Sequence, residues 1–320
     1  MKVALRLAVS GAVLALLAML LPWAEVRQAI GRMSGRTWLA VLALFMAGHA
    51  LNALKWRMLV NAGRSGLGRL QAVRFHYAGL FANMWLPGIV GGDVLRAVLA
   101  SRVTARPETV ILGAVADRLI DTVTLALLLT CGALLVRGML PAAAARGVTA
   151  GILAAAVTGA VVLTLALRRP LRRWPRRLRR PAGRGMVALR RLARLPATAI
   201  TALAMSLLIQ GGFVLLNAWI GHDLGITVPI GGWLLAWSLA KLAATLPVSL
   251  GGLGVRDATL AALLVPFGVA VTLGVVASLV WQSVLIVGGL VGGLIWLLLG
   301  RLPGGVPAGR VLVRVSATRA

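Results

Sequence analysis

Two stretches of the chain, half its length apart, interrupt apolar sequence in the same way. Residues 86–96 read LPGIVGGDVLR and residues 246–256 read LPVSLGGLGVR. Both fit L-P-x-x-x-G-G-x-x-x-R, and the offset is 160 residues in a chain of 320. Proline removes a backbone donor and glycine admits non-helical conformations, so neither stretch reads as an unbroken helix. Inside a bilayer, freed N–H and C=O groups survive only where protein or a water-filled cavity satisfies them. Paired interruptions in the two halves of a chain are the sequence pattern of a transporter's binding site. Leu86, Pro87, Gly91, Gly92 and Arg96 recur as Leu246, Pro247, Gly251, Gly252 and Arg256, which argues for an internal repeat over two chance breaks.

Composition leaves little of the chain outside a membrane. Apolar residues make up 60% of it, and mean hydropathy is +0.93. The longest polar stretch, 168–194, holds twelve Arg and no acid. The net charge of +27 raises nucleic acid as a partner, but the Arg residues concentrate between apolar runs. The positive-inside bias and anionic headgroups account for them, so membrane lipid is the expected partner and nucleic acid is not. The one cysteine, Cys131, excludes an internal disulfide and a cysteine-based zinc site. His49, His76 and His222 are scattered without metal-ligand spacing, and neither metal nor cofactor is expected. The first apolar run follows Lys2 and Arg6 and lacks a clear small-x-small cleavage site, so it reads as an uncleaved span.

Full-length apolar runs fall at 4–22, 37–59, 109–136, 148–167, 196–220 and 270–299. Residues 76–101 and 231–267 carry the repeated breaks, and neither arm of either one comfortably reaches the ~20 residues a span requires. Each is read as a re-entrant helical hairpin. Pro87, Gly91 and Gly92 form the first turn, and Pro247, Gly251 and Gly252 the second. With a cytoplasmic N-terminus, 26 of the 34 basic residues fall on the cytoplasmic side. They include five in 55–75, three in 96–106, the twelve of the basic loop and four in the tail. The hairpins then enter from opposite sides, so span–hairpin–span recurs inverted. The expected fold is an all-α polytopic membrane protein of six transmembrane helices plus two re-entrant hairpins. It forms one domain: a first half 1–167, a basic cytoplasmic loop 168–195, a second half 196–299 and a cytoplasmic tail 300–320.

Only seven acids exist, and four lie in the apolar regions: Asp93, Asp117, Asp121 and Asp257. Asp117 and Asp121 share one helix face, with Arg118 about 100° round it. Charges at such depth default to facing protein or water. Three readings stay open. Arg96 and Arg256 bind a lipid phosphate, helped by the turn N–H groups. The acids and arginines pair with one another and hold the hairpins. Asp117 or Asp121 carries a proton that drives transport. Arg96, Arg118, Lys241 and Arg256 all need partners, and a phosphate would complete the set. Lys241 is expected to face the same cavity. Asn83 is placed to hydrogen-bond the first break; the second copy has Ala243 there. Gly288, Gly289, Gly292 and Gly293 are expected to mark close helix packing, and Trp56, Trp85, Trp233 and Trp237 to anchor at the membrane interface.

Residues 83–96 (NMWLPGIVGGDVLR), 117–121 (DRLID) and 246–257 (LPVSLGGLGVRD) resemble, in order, three signatures of one family. It is the flippase-like membrane region of lysylphosphatidylglycerol synthases, found also in stand-alone bacterial and archaeal membrane proteins. The resemblance runs from residue 39 to residue 299. The chain departs from the family at Asp257, where Glu is common; the charge is kept with a shorter reach. The resemblance implies a polytopic domain that moves lipids between leaflets of a bacterial inner membrane. In the synthases a soluble C-terminal domain makes the lipid. Residues 300–320 are too few for such a domain, so synthase activity is not expected. Some stand-alone members are associated with hopanoid or glycolipid pathways, which makes such a lipid a possible cargo.

The reading is therefore a non-enzymatic lipid flippase or transporter. Without a nucleotide-binding motif, ATP is not its direct drive. The rivals are an enzyme subunit acting on a lipid headgroup and a non-transporting scaffold with lipid-biosynthesis partner proteins. The first lacks a nucleophile–base or metal constellation in the sequence. The Lys/Arg asymmetry generates a prediction. With Cys131 replaced, single cysteines at positions 174 and 225 should label from opposite faces of the membrane, 225 from outside. Labelling of both from one face would overturn the six-span plan.

Overall fold

The computed structural model describes residues 33–84, 90–139, 194–244 and 255–300, with a few isolated positions besides. Every regular element among them is helical. In order they are α1 (Gly35–Asn61), α2 (Arg69–Ala82), α3 (Val90–Ser101), α4 (Pro107–Leu135) and α5 (Pro196–Asp223). There follow α6 (Ile230–Ala244), α7 (Val255–Leu264), a 3-10 turn (Val265–Phe267) and α8 (Val271–Gly300). Helices α1, α4, α5 and α8 are long and apolar enough to cross a membrane, and they fall on four of the expected spans. The expected spans 4–22 and 148–167 lie outside the described residues. So do the tail beyond Gly300, most of the basic loop, and Pro87, Pro247, Gly251 and Gly252.

Local chemistry sets the helix ends. The Ser34 hydroxyl accepts from the Arg36 N–H at 3.2 Å to cap α1. Pro107 and Pro196 open α4 and α5, where a missing N–H costs nothing. Gly225, at φ 84°, closes α5 in the left-handed region. A cysteine at that position would be strained, so the outer-loop labelling site belongs at the exposed Thr227. The short helices α2, α3, α6 and α7, of 14, 12, 15 and 10 residues, are the arms of the two broken segments. Gly91 and Gly92, expected in the first turn, lie instead in the opening turn of α3.

The polarity of the molecule is that of a membrane protein. Leu119, Val123, Leu127 and Leu134 on α4, Ile200, Leu208 and Leu215 on α5, and Ile286, Leu290, Leu294 and Leu298 on α8 are exposed. Lys55, Arg96, Asp117, Arg256 and Asp257 are buried. Apolar outward faces at helical spacing around a charged interior suit lipid and would aggregate in water.

The packing is closed under exchange of the two halves, with α1, α2, α3 and α4 replaced by α5, α6, α7 and α8. Helix α4 packs on α6 as α8 packs on α2; α2 packs on α3 as α6 on α7; α3 on α4 as α7 on α8. Likewise α1 meets α4 as α5 meets α8, α4 meets α5 as α8 meets α1, and α1 meets α2 as α5 meets α6. The α1–α5 contact is its own counterpart. Glycines make the cross-half contacts close. A Cβ on Gly132 of α4 would lie 2.5 Å from the Leu235 nitrogen of α6. On α8, one on Gly288 would meet Phe45, on Gly289 Met84, on Gly292 Tyr77 and on Gly293 Phe81, so the expected small-residue face does pack closely.

The two arms of the first break approach most closely at Gly79 and Gly92. A Cβ on Gly92 would run into the Gly79 carbonyl and lie 2.5 Å from Asn83 Oδ1. Gly92→Ala should therefore cost ~1–3 kcal/mol of stability. Gly212→Ala on α5, where nothing lies within 4 Å of the added carbon, should stay within ~1 kcal/mol of the parent. Thermal unfolding in detergent reads both; equal melting temperatures for the two variants would mean α2 and α3 do not meet there.

Candidate functional site

The site begins with the spacing on α4. Asp117 and Asp121 project from one face, and Lys55 of α1 stands between them. Its Nζ lies 3.1 Å from Asp117 Oδ1 and also bonds Asp121 Oδ1. Asp121 Oδ1 accepts from Ser206 Oγ of α5 at 2.7 Å as well. The other Asp117 oxygen takes Arg96 Nη2 of α3 at 2.7 Å. The same nitrogen lies 3.0 Å from Asp93 Oδ1, one turn earlier on α3. Arg118 reaches the second Asp93 oxygen from the half-exposed flank of α4. Three cations thus meet three carboxylates, and the cluster is neutral. Lys55 and Asp117 have no exposed surface at all.

The cluster continues through two histidines. Arg96 Nη1 lies 3.0 Å from His76 Nδ1 of α2, and His76 Nε2 lies 3.0 Å from His49 Nδ1 of α1. Guanidinium only donates, so His76 Nδ1 accepts; a neutral His76 then carries its proton on Nε2 and donates to His49. The Trp56 ring faces the Arg96 guanidinium, with 4.9 Å from Cζ to the ring centroid. Asn83, at the end of α2, accepts from the Gly92 N–H at 2.7 Å. One side-chain oxygen therefore spans the first break and satisfies an N–H that opens α3.

The second half is built differently. Arg256 and Asp257 open α7, with Arg256 Nη2 at 2.6 Å from Asp257 Oδ1 and 2.8 Å from Gln282 Oε1 of α8. Lys241 of α6 donates to Gln210 Oε1 of α5 at 2.6 Å and sits 5.2 Å from the Phe213 ring centroid. Among the described residues no carboxylate comes within ion-pair distance of it. It is nevertheless within electrostatic range of Asp121, Arg118, Lys55 and Arg256. Rings link the two clusters: Phe213 lies 5.4 Å from His49 and 6.1 Å from Trp281, which lies 5.1 Å from Trp237.

The structure brings together Asp93, Arg96, Asp117, Arg118 and Asp121, and separately Arg256 with Asp257. It also changes several expectations. Arg96 and Arg256, expected to need partners, each hold a carboxylate. Asp117 and Asp121, left open as proton carriers, close together on Lys55. That lysine belongs to this core and not to a cytoplasmic loop; its signal in the sequence was a lysine inside the apolar run 37–59. His49 and His76, scattered in the sequence, are in direct contact. Trp56, Trp233 and Trp237 are buried to 2% exposure or less and are core residues, not interfacial anchors; Trp85 lies outside the described residues. Gln210, Gln282 and Ser206 carried no signal that set them apart from other polar residues in apolar helices.

Lipid-facing leucines, four helices of spanning length and a buried ionic core define a multi-pass α-helical membrane protein. The chain belongs to the family of the lysylphosphatidylglycerol synthase TM region, whose family model matches residues 3–293. No curated protein and no solved structure matches it.

Removing one partner from a buried ionic cluster leaves the others uncompensated. Lys55→Met should cost ~3–5 kcal/mol, and adding Asp121→Asn should recover part of that loss. Arg118→Gln, whose side chain is 43% exposed, should cost no more than ~1 kcal/mol. Reversible unfolding of each variant in mixed micelles measures the order, and a Lys55→Met variant as stable as the parent would contradict the paired geometry.

Proposed function

We propose that the protein is a lipid flippase or transporter that moves a phospholipid or another polar lipid between leaflets, by transport and not by catalysis. The observation that carries this reading is the polar centre. Each broken segment places charged and hydrogen-bonding side chains inside a molecule whose outside is apolar. The packing that closes under exchange of halves supports an internal repeat, and the finer topology we propose for it is six spans with two re-entrant hairpins in inverted orientation. In that plan the protein lies in a bacterial inner membrane with both termini cytoplasmic, as the Lys/Arg distribution favours. That plan requires a centre able to satisfy the backbone groups freed at each break and opened to one side at a time. Asp117 and Asp121 remain candidates for ion coupling. Any proton they take up must displace Lys55 from between them.

The test uses the full chain in vesicles of phosphatidylethanolamine and phosphatidylglycerol carrying a trace of fluorescent phosphatidylglycerol. Dithionite destroys fluorescence in the outer leaflet at once and in the inner leaflet only as lipid crosses. Protein-containing vesicles should lose the protected half faster than protein-free ones. Identical time courses, under a proton gradient and without one, would sink transport and leave the scaffold for a lipid-biosynthesis complex.

A further inference from the structure

The central charges do not balance. Lys55, Arg96, Arg118, Lys241 and Arg256 face Asp93, Asp117, Asp121 and Asp257, which leaves one positive charge in excess. The excess has an address. Each of the other four cations holds a carboxylate, whereas Lys241 holds only the Gln210 amide and a ring face. The stretches of the two breaks outside the described residues, 85–89 and 245–254, contain no charged residue to change this count. Of the seven acids, six are described, and none reaches Lys241. A desolvated cation without a counter-charge is costly, and a monoanion beside it offsets that cost.

We infer that Lys241 and Gln210 form an anion subsite for the phosphodiester of a lipid headgroup. This rests on the transport reading above and adds the recognised group to it. A phosphodiester carries a single negative charge, which matches the single excess. Its oxygens accept from the Lys241 ammonium. The Gln210 amide, released from Lys241, then turns its NH2 toward a second oxygen. Part of the Lys241 side chain stays exposed, and Phe213 gives the subsite an apolar wall. The Ser238 hydroxyl and the Trp237 indole N–H, also on α6, and the Ser278 hydroxyl on α8 are buried without hydrogen-bond partners.

The experiment is calorimetric titration of the detergent-purified full chain with dioctanoyl phosphatidylglycerol, with dioctanoylglycerol, which lacks the phosphate, and with glycerophosphoglycerol, which lacks the acyl chains. Wild-type protein should bind the phospholipid and bind each of the others at least about tenfold more weakly. Lys241→Gln should weaken phospholipid binding by about 10- to 150-fold, the worth of one charge-assisted bond. Its ligand-free melting temperature should not fall, because no carboxylate is orphaned. Wild-type protein that fails to distinguish the phospholipid from dioctanoylglycerol overturns the subsite, whatever the variant does. So does a Lys241→Gln variant that binds like wild type. Equal affinity for glycerophosphoglycerol overturns the lipid assignment in favour of a soluble diester. Faster lipid crossing in vesicles together with any of these results leaves transport standing and removes only Lys241.

Discussion

An ammonium group with no exposed surface decides how α1, α3 and α4 can meet. Lys55 cannot be buried alone, because desolvating one ion costs several kcal/mol even after the surroundings relax. It is tolerated only where Asp117 and Asp121 close on it together. Asp117 is tolerated in turn because Arg96 takes its second oxygen. In lipid this matters more than apolar packing, since a leucine gains little by leaving hydrocarbon for a protein core. The ionic cluster fixes the register of three helices. The close glycine contacts, Gly79 against Gly92 and Gly132 against Gly231, then set how near the remaining helices stand.

Much of the frame was legible because membrane sequences report their spans through length and hydropathy. The four described spans begin and end within a few residues of the expected runs, and the arms of both breaks are short helices. The depth of Asp93, Asp117, Asp121 and Asp257 was legible too, because acids are so few. Their partners were not. Lys55 lies near the end of a span, where a lysine also fits a membrane boundary, and nothing local tells the two apart. His49 and His76 lie 27 residues apart on different helices, so no ligand-like spacing could announce them. Tryptophan has the same composition signal at an interface as in a core. Trp56, Trp233 and Trp237 are placed by tertiary neighbours: an arginine, the face of Gly221 and a second indole.

The frame repeats and the chemistry does not. Both breaks end in an arginine beside an aspartate at the start of a short helix. In the first half, however, α4 supplies two carboxylates, whereas its counterpart α8 supplies Gln282. Asn83 ties the first break to the N–H of Gly92, and the second copy has alanine at that place. A repeat that keeps its packing while its polar residues differ frees one half to do something the other cannot.

That difference bears on which half can take an anion. An anion arriving at Arg96 meets the carboxylates of Asp117 and Asp93, which keep their negative charge within the same low-dielectric space. Like charges are then brought close together. Arg256 presents the same difficulty through Asp257. At Lys241 the displaced partner is the neutral Gln210 amide, which can stay and donate. The closed cluster of the first half is therefore suited to holding helices in place, and the open cation of the second half to exchanging a ligand. Because Lys241 lies within electrostatic range of Asp121 and Lys55, an anion bound there is felt by the cluster that holds α1 against α4. Ligand binding in one half and helix registry in the other are then parts of a single charge balance.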